Sequence, residues 1–241
     1  MITKNQIKQV KSLEHKKFRK ESGLFVAEGR KIISDLREHF ELVELYEGED
    51  ARKVSLMDTP SDMVGVFRQI VTPDMDTADG TSCQLVAEDL TLALDDVQNP
   101  GNVGTIIRLA DWFGIEDIYM SGGCADVYSP KVVQATMGSL CRVRVHYCDL
   151  CKLVGNLPEE HPIYGTFLDG NDIYSEQLTK GGLIIMGNEG HGISEELSRH
   201  INRRLYIPNY PKGRETGESL NVAIATAIVC SEFRRSTGGR Q

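Results

Sequence analysis

Residues 205–235 read LYIPNYPKGRETGESLNVAIATAIVCSEFRR, and their order decides the fold. A short apolar strand leads into a polar, Gly-containing loop, and at Ser219 a long helix begins that carries no charge until Glu232. Leu220, Val222, Ala223, Ile224, Ala225, Ala227, Ile228 and Val229 leave that helix too little polar surface for a position on the outside. It must be buried, with the loop before it held at a pocket that the rest of the chain builds.

Upstream, from residue 90, strands alternate with helices. Apolar strands are predicted at 90–94, 118–120, 143–146, 163–167 and 183–186. One helix is predicted over 103–113, stopped by Gly114 in a left-handed cap. A second starts at Ser129-Pro130, and a third follows Ser194 with Glu195 and Glu196 at its positive end. This alternation predicts an α/β fold with a mostly parallel sheet covered on both faces. Before it, Ile7, Val10, Leu13 and Phe18 stand among lysines over residues 4–20, the pattern of a basic amphipathic helix. A short strand over 23–29, a helix over 30–39 and strands within 42–46 and 55–67 complete a small α/β unit. The expected domains are 1–72 for that unit, a polar linker over 73–88, and 89–241 for the larger one.

The 241 residues are 40% hydrophobic and 26% charged, ordinary for a globular protein able to bury a core. No apolar run approaches the roughly 20 residues of a membrane span. The opening MITKNQIKQVKSLEHKK lacks the apolar core of a secretion signal, so a cytoplasmic chain is expected, with no membrane partner. Six cysteines show no framework spacing, and Cys148-x-x-Cys151 lacks the second ligand pair of a zinc site. No metal is expected. The net charge is −8, yet residues 1–37 hold ten Lys/Arg against four Asp/Glu, a net of +6 that leaves −14 for the remainder. Such asymmetry fits an anionic partner at the N-terminal end, or a solvated helix.

Three motifs stand in order. Residues 99–114, NPGNVGTIIRLADWFG, turn at Pro100-Gly101, and Asn102 can cap the helix that follows. Arg108 lies off the buried stripe, where a guanidinium suits phosphate or carboxylate, or is merely a surface arginine. Residues 183–194, LIIMGNEGHGIS, carry a glycine loop from a strand into a helix, the usual ligand position in a parallel sheet. Gly187, Gly190 and Gly192 do not follow the dinucleotide spacing, and no Gly-Lys-Ser/Thr occurs. The third motif places Ile207-Pro208 at a strand end and Ser219-Leu220-Asn221 at the start of the last helix. Ser219 is the obvious cap there, whereas Asn221, an amide in an apolar helix, needs a partner.

NPGNVGTIIRLA, MGNEGHGIS and IP followed by SLNVAIA resemble, in that order, the motifs of the SpoU/TrmH-type RNA ribose 2′-O-methyltransferases of the SPOUT class. The likeness runs from Leu90 to the end. Residues 11–33, KSLEHKKFRKESGLFVAEGRKII, are similar to that family's ribosomal-protein-like RNA-binding extension. The resemblance implies a C-terminal trefoil knot, a homodimer, an RNA substrate (tRNA or rRNA) and S-adenosylmethionine as cofactor. It implies cofactor contacts at Met186, Gly187, Asn188, Ile207, Pro208 and Leu220. Arg108, Asn99, Glu189, Ser219 and Asn221 match the family's catalytic positions. Lys16, Lys17, Arg19, Arg30, Lys212 and Arg214 are the expected RNA contacts.

A guanidinium is a poor base, because its pKa exceeds about 12. Arg108 is better suited to hold the phosphate beside the ribose and stabilise developing alkoxide charge. The loop over 209–218 is longer than the family's usual one, which bears on the choice of substrate. Two other classes compete: a non-catalytic RNA-binding protein of the same fold, and a nucleotide-dependent oxidoreductase, which the glycine spacing disfavours.

Overall fold

The computed structural model describes residues 2–70, 85, 88–211, 217 and 219–237. The expected linker over 73–88 lies outside them apart from residues 85 and 88. The N-terminal unit runs α1 (Lys4–Ser12), α2 (Lys16–Ser22), β1 (Leu24–Glu28), α3 (Arg30–Leu36), β2 (Leu42–Glu47), α4 (Gly48–Val54) and β3 (Met63–Arg68). Its strands form an antiparallel sheet in the order β1-β3-β2.

The single helix anticipated over 4–20 is in fact two. A capping box between Thr3 and Gln6 starts α1, and the chain turns after Leu13. Arg19 on α2 donates from Nη1 to the carbonyls of Leu13 and Glu14, both at 2.7 Å, and so satisfies the acceptors exposed at the break. Val10 and Leu13 are buried, while Phe18 is 41% exposed. Helix α4 was not anticipated. Its seven residues have little apolar periodicity, but Glu49 and Asp50 in the first turn and Arg52 and Lys53 in the last complement the helix dipole.

The larger unit runs β4 (Leu90–Leu94), α5 (Pro100–Trp112), β5 (Asp117–Met120), α6 (Pro130–Thr136), a 3-10 turn (Ser139–Cys141), β6 (Arg144–Tyr147), α7 (Leu150–Gly155), β7 (Ile163–Asp172), β8 (Gly182–Met186), α8 (Glu195–Ser198), β9 (Arg203–Tyr206) and α9 (Val222–Thr237). The six strands are all parallel, in the order β6-β5-β4-β8-β7-β9. Every residue of β4 and β8 is buried, which is why these central strands read as unbroken apolar runs. Leu92, Leu94, Ile184 and Met186 join a core with α5, α6 and α9. Ala93, Leu183 and Ile185 point the other way, into a second core with α7 and α8.

Successive strands depart from β4 in one direction and from β8 in the other, so the order reverses between them. The crevice beyond their C-terminal ends is the position that an open parallel sheet offers a ligand.

Helix α9 is buried through Val222, Ala223, Thr226, Val229, Cys230 and Phe233, with the Phe233 ring edge-on to Tyr164 at 4.8 Å. It is not buried all round, as its composition led one to expect. Ile224 is 55% exposed, and Leu220, just ahead of the helix, is 50% exposed. The helix lies along α5. Arg234 donates to the carbonyls of Phe113 (2.7 Å) and Gly114 (3.1 Å) at one end, and Asn221 meets Asn102 at the other. The two helices therefore run parallel, N-terminus beside N-terminus.

Candidate active site

The site grows from the two loops that leave β4 and β8. Asp95 donates its N–H to Met186 O at 2.9 Å and accepts the Ser194 N–H on Oδ2 at 2.8 Å, tying both loops at their roots. Asn188 donates from Nδ2 to Asp96 O at 2.8 Å and accepts from Gly190 N at 2.7 Å. Backbone bonds between Asn188 and Gly192, at 2.9 and 3.0 Å, fold the glycine loop back on itself. A Cβ on Gly187 would lie 2.2 Å from the Gly192 carbonyl carbon, and Gly192 has φ +73°. Side chains are excluded at the first by contact and disfavoured at the second by conformation. Asn188 is thus spent on holding the loop, through its side-chain amide and through both of its backbone groups.

The first motif is corrected in one respect. Asn99, not Asn102, caps α5: its Oδ1 accepts from Gly101 N (2.9 Å) and Asn102 N (3.2 Å), with Pro100 in the first turn. This releases the Asn102 side chain for another task. Its Nδ2 donates to Glu189 Oε1 at 2.6 Å, and its Oδ1 accepts from Asn221 Nδ2 at 3.0 Å. Asn221 in turn accepts on Oδ1 from Ala223 N (3.0 Å) and Ile224 N (3.3 Å), so it caps α9 in place of Ser219. Glu189, Asn102 and Asn221 form one chain across all three motifs. A single side chain, Asn102, joins them.

That hub was missed because one asparagine was enough to explain the cap. Two asparagines three apart around Pro-Gly were the available signal. The chain of groups sits at the N-termini of α5 and α9, whose dipoles favour the Glu189 carboxylate and any further anion brought there. Arg108 lies six residues beyond Asn102, about 9 Å along the helix. It is exposed and, among the described residues, has no hydrogen-bond or ion-pair partner, in a stripe with Thr105 and the 84% exposed Trp112. Ser219 is exposed, and Ile207 and Pro208 are half-buried at the end of β9.

Strand β7 is irregular beside β9, the strand that leads to Ile207 and Pro208. Its pairing with β9 breaks between Thr166 and Asn171, and Leu168 in that bulge is 75% exposed. Gly170 permits the bulge, since a Cβ there would sit 2.5 Å from the Leu205 backbone. The sequence read only a strand over 163–167 and gave no sign of this.

The expected RNA contacts divide. Lys16 and Lys17 are exposed on α2, and Arg30 is exposed while paired with Asp62 at 3.1 Å. Lys212 and Arg214 lie outside the described residues. Arg19 must be withdrawn: it is 3% exposed, and its guanidinium is occupied by Asp126 and two carbonyls. Among the described residues no group of three His, Cys, Asp or Glu side chains could hold a metal, and no helix is long and apolar enough to cross a membrane.

Comparison with known proteins follows the same division. Residues 89–231 match the sequence model of the SpoU rRNA Methylase family, and residues 4–71 match that of the MRM3-like substrate binding domain. The 23S rRNA (guanosine(2553)-2′-O)-methyltransferase RlmP of Bacillus subtilis is 31% identical over 247 residues, covering 96% of this chain and 97% of that protein. A TrmH-family structure from Porphyromonas gingivalis superposes with a TM-score of 0.83 at 37% identity, covering 98% of this chain and 100% of that one. An AdoMet-bound rRNA methyltransferase from Sinorhizobium meliloti superposes with a TM-score of 0.83 at 29% identity, covering 98% and 97%. With its three motifs gathered at one end of a parallel sheet and matched over most of its length, the chain belongs to the SpoU rRNA methylase family.

Proposed function

We propose that this protein transfers a methyl group from S-adenosylmethionine to a ribose 2′-hydroxyl of RNA, with ribosomal RNA as the substrate class. The observation that carries the reading is the Asn221–Asn102–Glu189 chain at the paired N-termini of α5 and α9, with an unengaged Arg108 on the same helix. The named activity of RlmP, similar across nearly the whole chain, supports rRNA over tRNA.

The residues present fit the cofactor. Ile207, Pro208 and Leu220 offer partly exposed apolar surface, Met186, Gly187 and Asn188 shape the close-packed glycine loop beside them, and two helix N-termini favour its carboxylate. When bound it supplies a methyl group already activated on a sulfonium. The O–CH3 bond forms as the S–CH3 bond breaks and the hydroxyl proton passes to water, so the chain's own tasks are alignment and stabilisation of the 2′-oxygen. Arg108 holds the phosphate beside the ribose and stabilises negative charge on the 2′-oxygen. Glu189, Asn102, Ser219 and Asn221 orient the ribose, and Asn99 positions Asn102 by capping its helix. Lys16, Lys17 and Arg30 carry the sequence-independent part of RNA binding.

Arg108→Ala should lower methyl transfer by about 10²-fold or more, the scale of losing one transition-state charge partner. Asn102→Ala should do so by a comparable factor. Cofactor affinity, read by calorimetry, should stay within about twofold in both, because these side chains meet the ribose rather than the donor. Methyl incorporation at near wild-type rate in either variant would sink the assignment.

The reading includes a homodimer and a knotted C-terminus. Trp112 at the far end of α5, one turn from Arg108, and Leu220 and Ile224 at the start of α9 leave two exposed apolar spots that a second copy would cover. Sedimentation should give a dimer that Trp112→Lys together with Ile224→Glu dissociates; a monomeric wild type rejects this. The reading also includes a cytoplasmic setting, in keeping with six cysteines that show no framework spacing in the sequence.

A further inference from the structure

Arg19 fits neither the RNA surface nor the catalytic chain, yet it is among the most constrained polar groups in the molecule. From Nε and Nη2 it donates to Asp126 Oδ2 at 3.1 and 2.5 Å, and from Nη1 to Leu13 and Glu14 carbonyls. Asp126 belongs to the loop between β5 and α6 of the larger unit. Two residues on, Tyr128 accepts from Ile70 N (3.2 Å) and donates to Ile70 O (3.1 Å), holding the end of the N-terminal unit. Its ring packs on Phe25 at 4.9 Å and meets Phe40 edge-on at 6.4 Å. Cys141 donates to Asp35 O at 3.2 Å, and a Cβ on Gly138 would come within 2.4 Å of the Asp35 carboxylate. Ion pair, aromatic stack and close backbone approach all join the same two units.

The loop that receives these contacts also braces the site. Ala125 N donates to Val97 O at 3.0 Å, and Val97 N donates to Cys124 Sγ at 3.3 Å. Asp96 N donates to Ser121 Oγ at 2.8 Å, and Tyr147 clamps the loop by bonds to Val127 N (2.9 Å) and Ala125 O (2.7 Å). Residues 96 and 97 lead directly into Asn99 and α5. One continuous set of bonds therefore runs from α2 of the N-terminal unit to the helix that carries Asn102 and Arg108.

We infer that Arg19, Asp126 and Tyr128 lock the N-terminal unit onto the loop between β5 and α6, so that RNA bound by the first unit is presented to Arg108 at a fixed distance and angle. All three are positioning residues. None of them touches the ribose or the donor. The unit behaves as a rigid gauge rather than a tethered arm, and specificity for a site within folded RNA comes from satisfying both surfaces at once. This inference rests on the RNA methyl-transfer reading for its consequence but not for the lock itself.

The test is the full chain carrying Asp126→Asn, which keeps the shape and removes the charge, and separately Tyr128→Phe, which keeps the ring and removes the bonds to Ile70. Steady-state methyl transfer to a folded rRNA domain should show KM raised about tenfold, the loss in effective concentration when a rigid link becomes loose. In the same assay kcat and cofactor affinity should stay within about twofold, as for a group outside the chemistry. Amide hydrogen exchange of residues 68–70 and 125–128 should be faster in both variants than in wild type, because the joint loosens locally while the shared core holds. Unchanged KM and unchanged exchange in both variants would overturn the lock. So would loss of cofactor binding in the milder Tyr128→Phe, since that marks a role in folding alone. A wild-type protein that methylates no RNA would overturn the proposed function and leave exchange as the readout of the lock.

Discussion

Asp117 opens β5, at the strand end away from the Asn221–Asn102–Glu189 chain, and its chemistry is separate from the site. Its carboxylate accepts from Arg144 Nε (2.8 Å) and Nη2 (2.6 Å) and meets His146 Nε2 at 2.8 Å. Burial acts to raise its pKa, but the hydrogen bonds and charges of His146 and Arg144 outweigh this and hold it at about 2. A depressed carboxyl stabilises the fold above its unfolded value near 3.9, and that contribution is lost as pH falls from about 4 toward 2. Asp117→Asn should cost on the order of 2 kcal/mol at pH 7. Urea midpoints at pH 7, 4 and 3 should then show the gap to wild type narrowing only below about 4. A gap that stays constant to pH 3 would refute this account. Asn102 makes the complementary point at the same scale: a residue's type was plain from the sequence, but its partners were not. Nothing in NPGN tells which asparagine caps and which reaches across to Glu189.

Among the elements, α5 is where the parts meet. It carries Arg108, lies parallel to α9 and packs on α6 through Gly104. A Cβ at Gly104 would stand 2.5 Å from Ala135 Cβ and 2.7 Å from Val132 O. Gly→Ala inside a helix ordinarily stabilises by about 1 kcal/mol. Here overpacking against backbone reverses the sign, and Gly104→Ala should lower stability by about 1–3 kcal/mol. Because α5 moves as a rod, methyl transfer should fall too, although no side chain of the site is changed. Thermal unfolding beside the initial rate would check both; a more stable variant of full activity contradicts the packing argument. The periodicity of α5 was legible, as were its cap type and its stop at Gly114, whose φ of +63° is the left-handed one anticipated. The interruption between α1 and α2 was not legible, because it depends on Arg19 reaching carbonyls that periodicity does not see.

At the scale of the molecule, one core runs through both units. Phe25, Ile33 and Phe40 of the N-terminal unit belong to the same buried cluster as Leu92, Ile106 and Phe233. Shared burial of this kind couples unfolding, since neither unit can open without exposing the other's apolar surface. Calorimetry should therefore give a single transition with calorimetric and van't Hoff enthalpies in agreement. Two resolved peaks would show that the units are independent. Charge asymmetry and a polar stretch near residue 80 led the sequence reading to two bodies joined by a linker, and only the packing of Tyr128 and Arg19 reveals how closely they are held.

By itself the sequence determined the strand–helix alternation, the buried parallel sheet and the three motifs that the fold gathers at one end of it. These follow from local periodicity, from glycine and proline stereochemistry and from motifs written in order along the chain. Tertiary structure alone decided that Asn102 is the hub of the site, that Arg19 is a joint rather than an RNA contact, and that the last helix keeps one face exposed. Each of these depends on groups 87 or more residues apart meeting at hydrogen-bond distance, or on which neighbour a helix face finds. No reading of local order contains that.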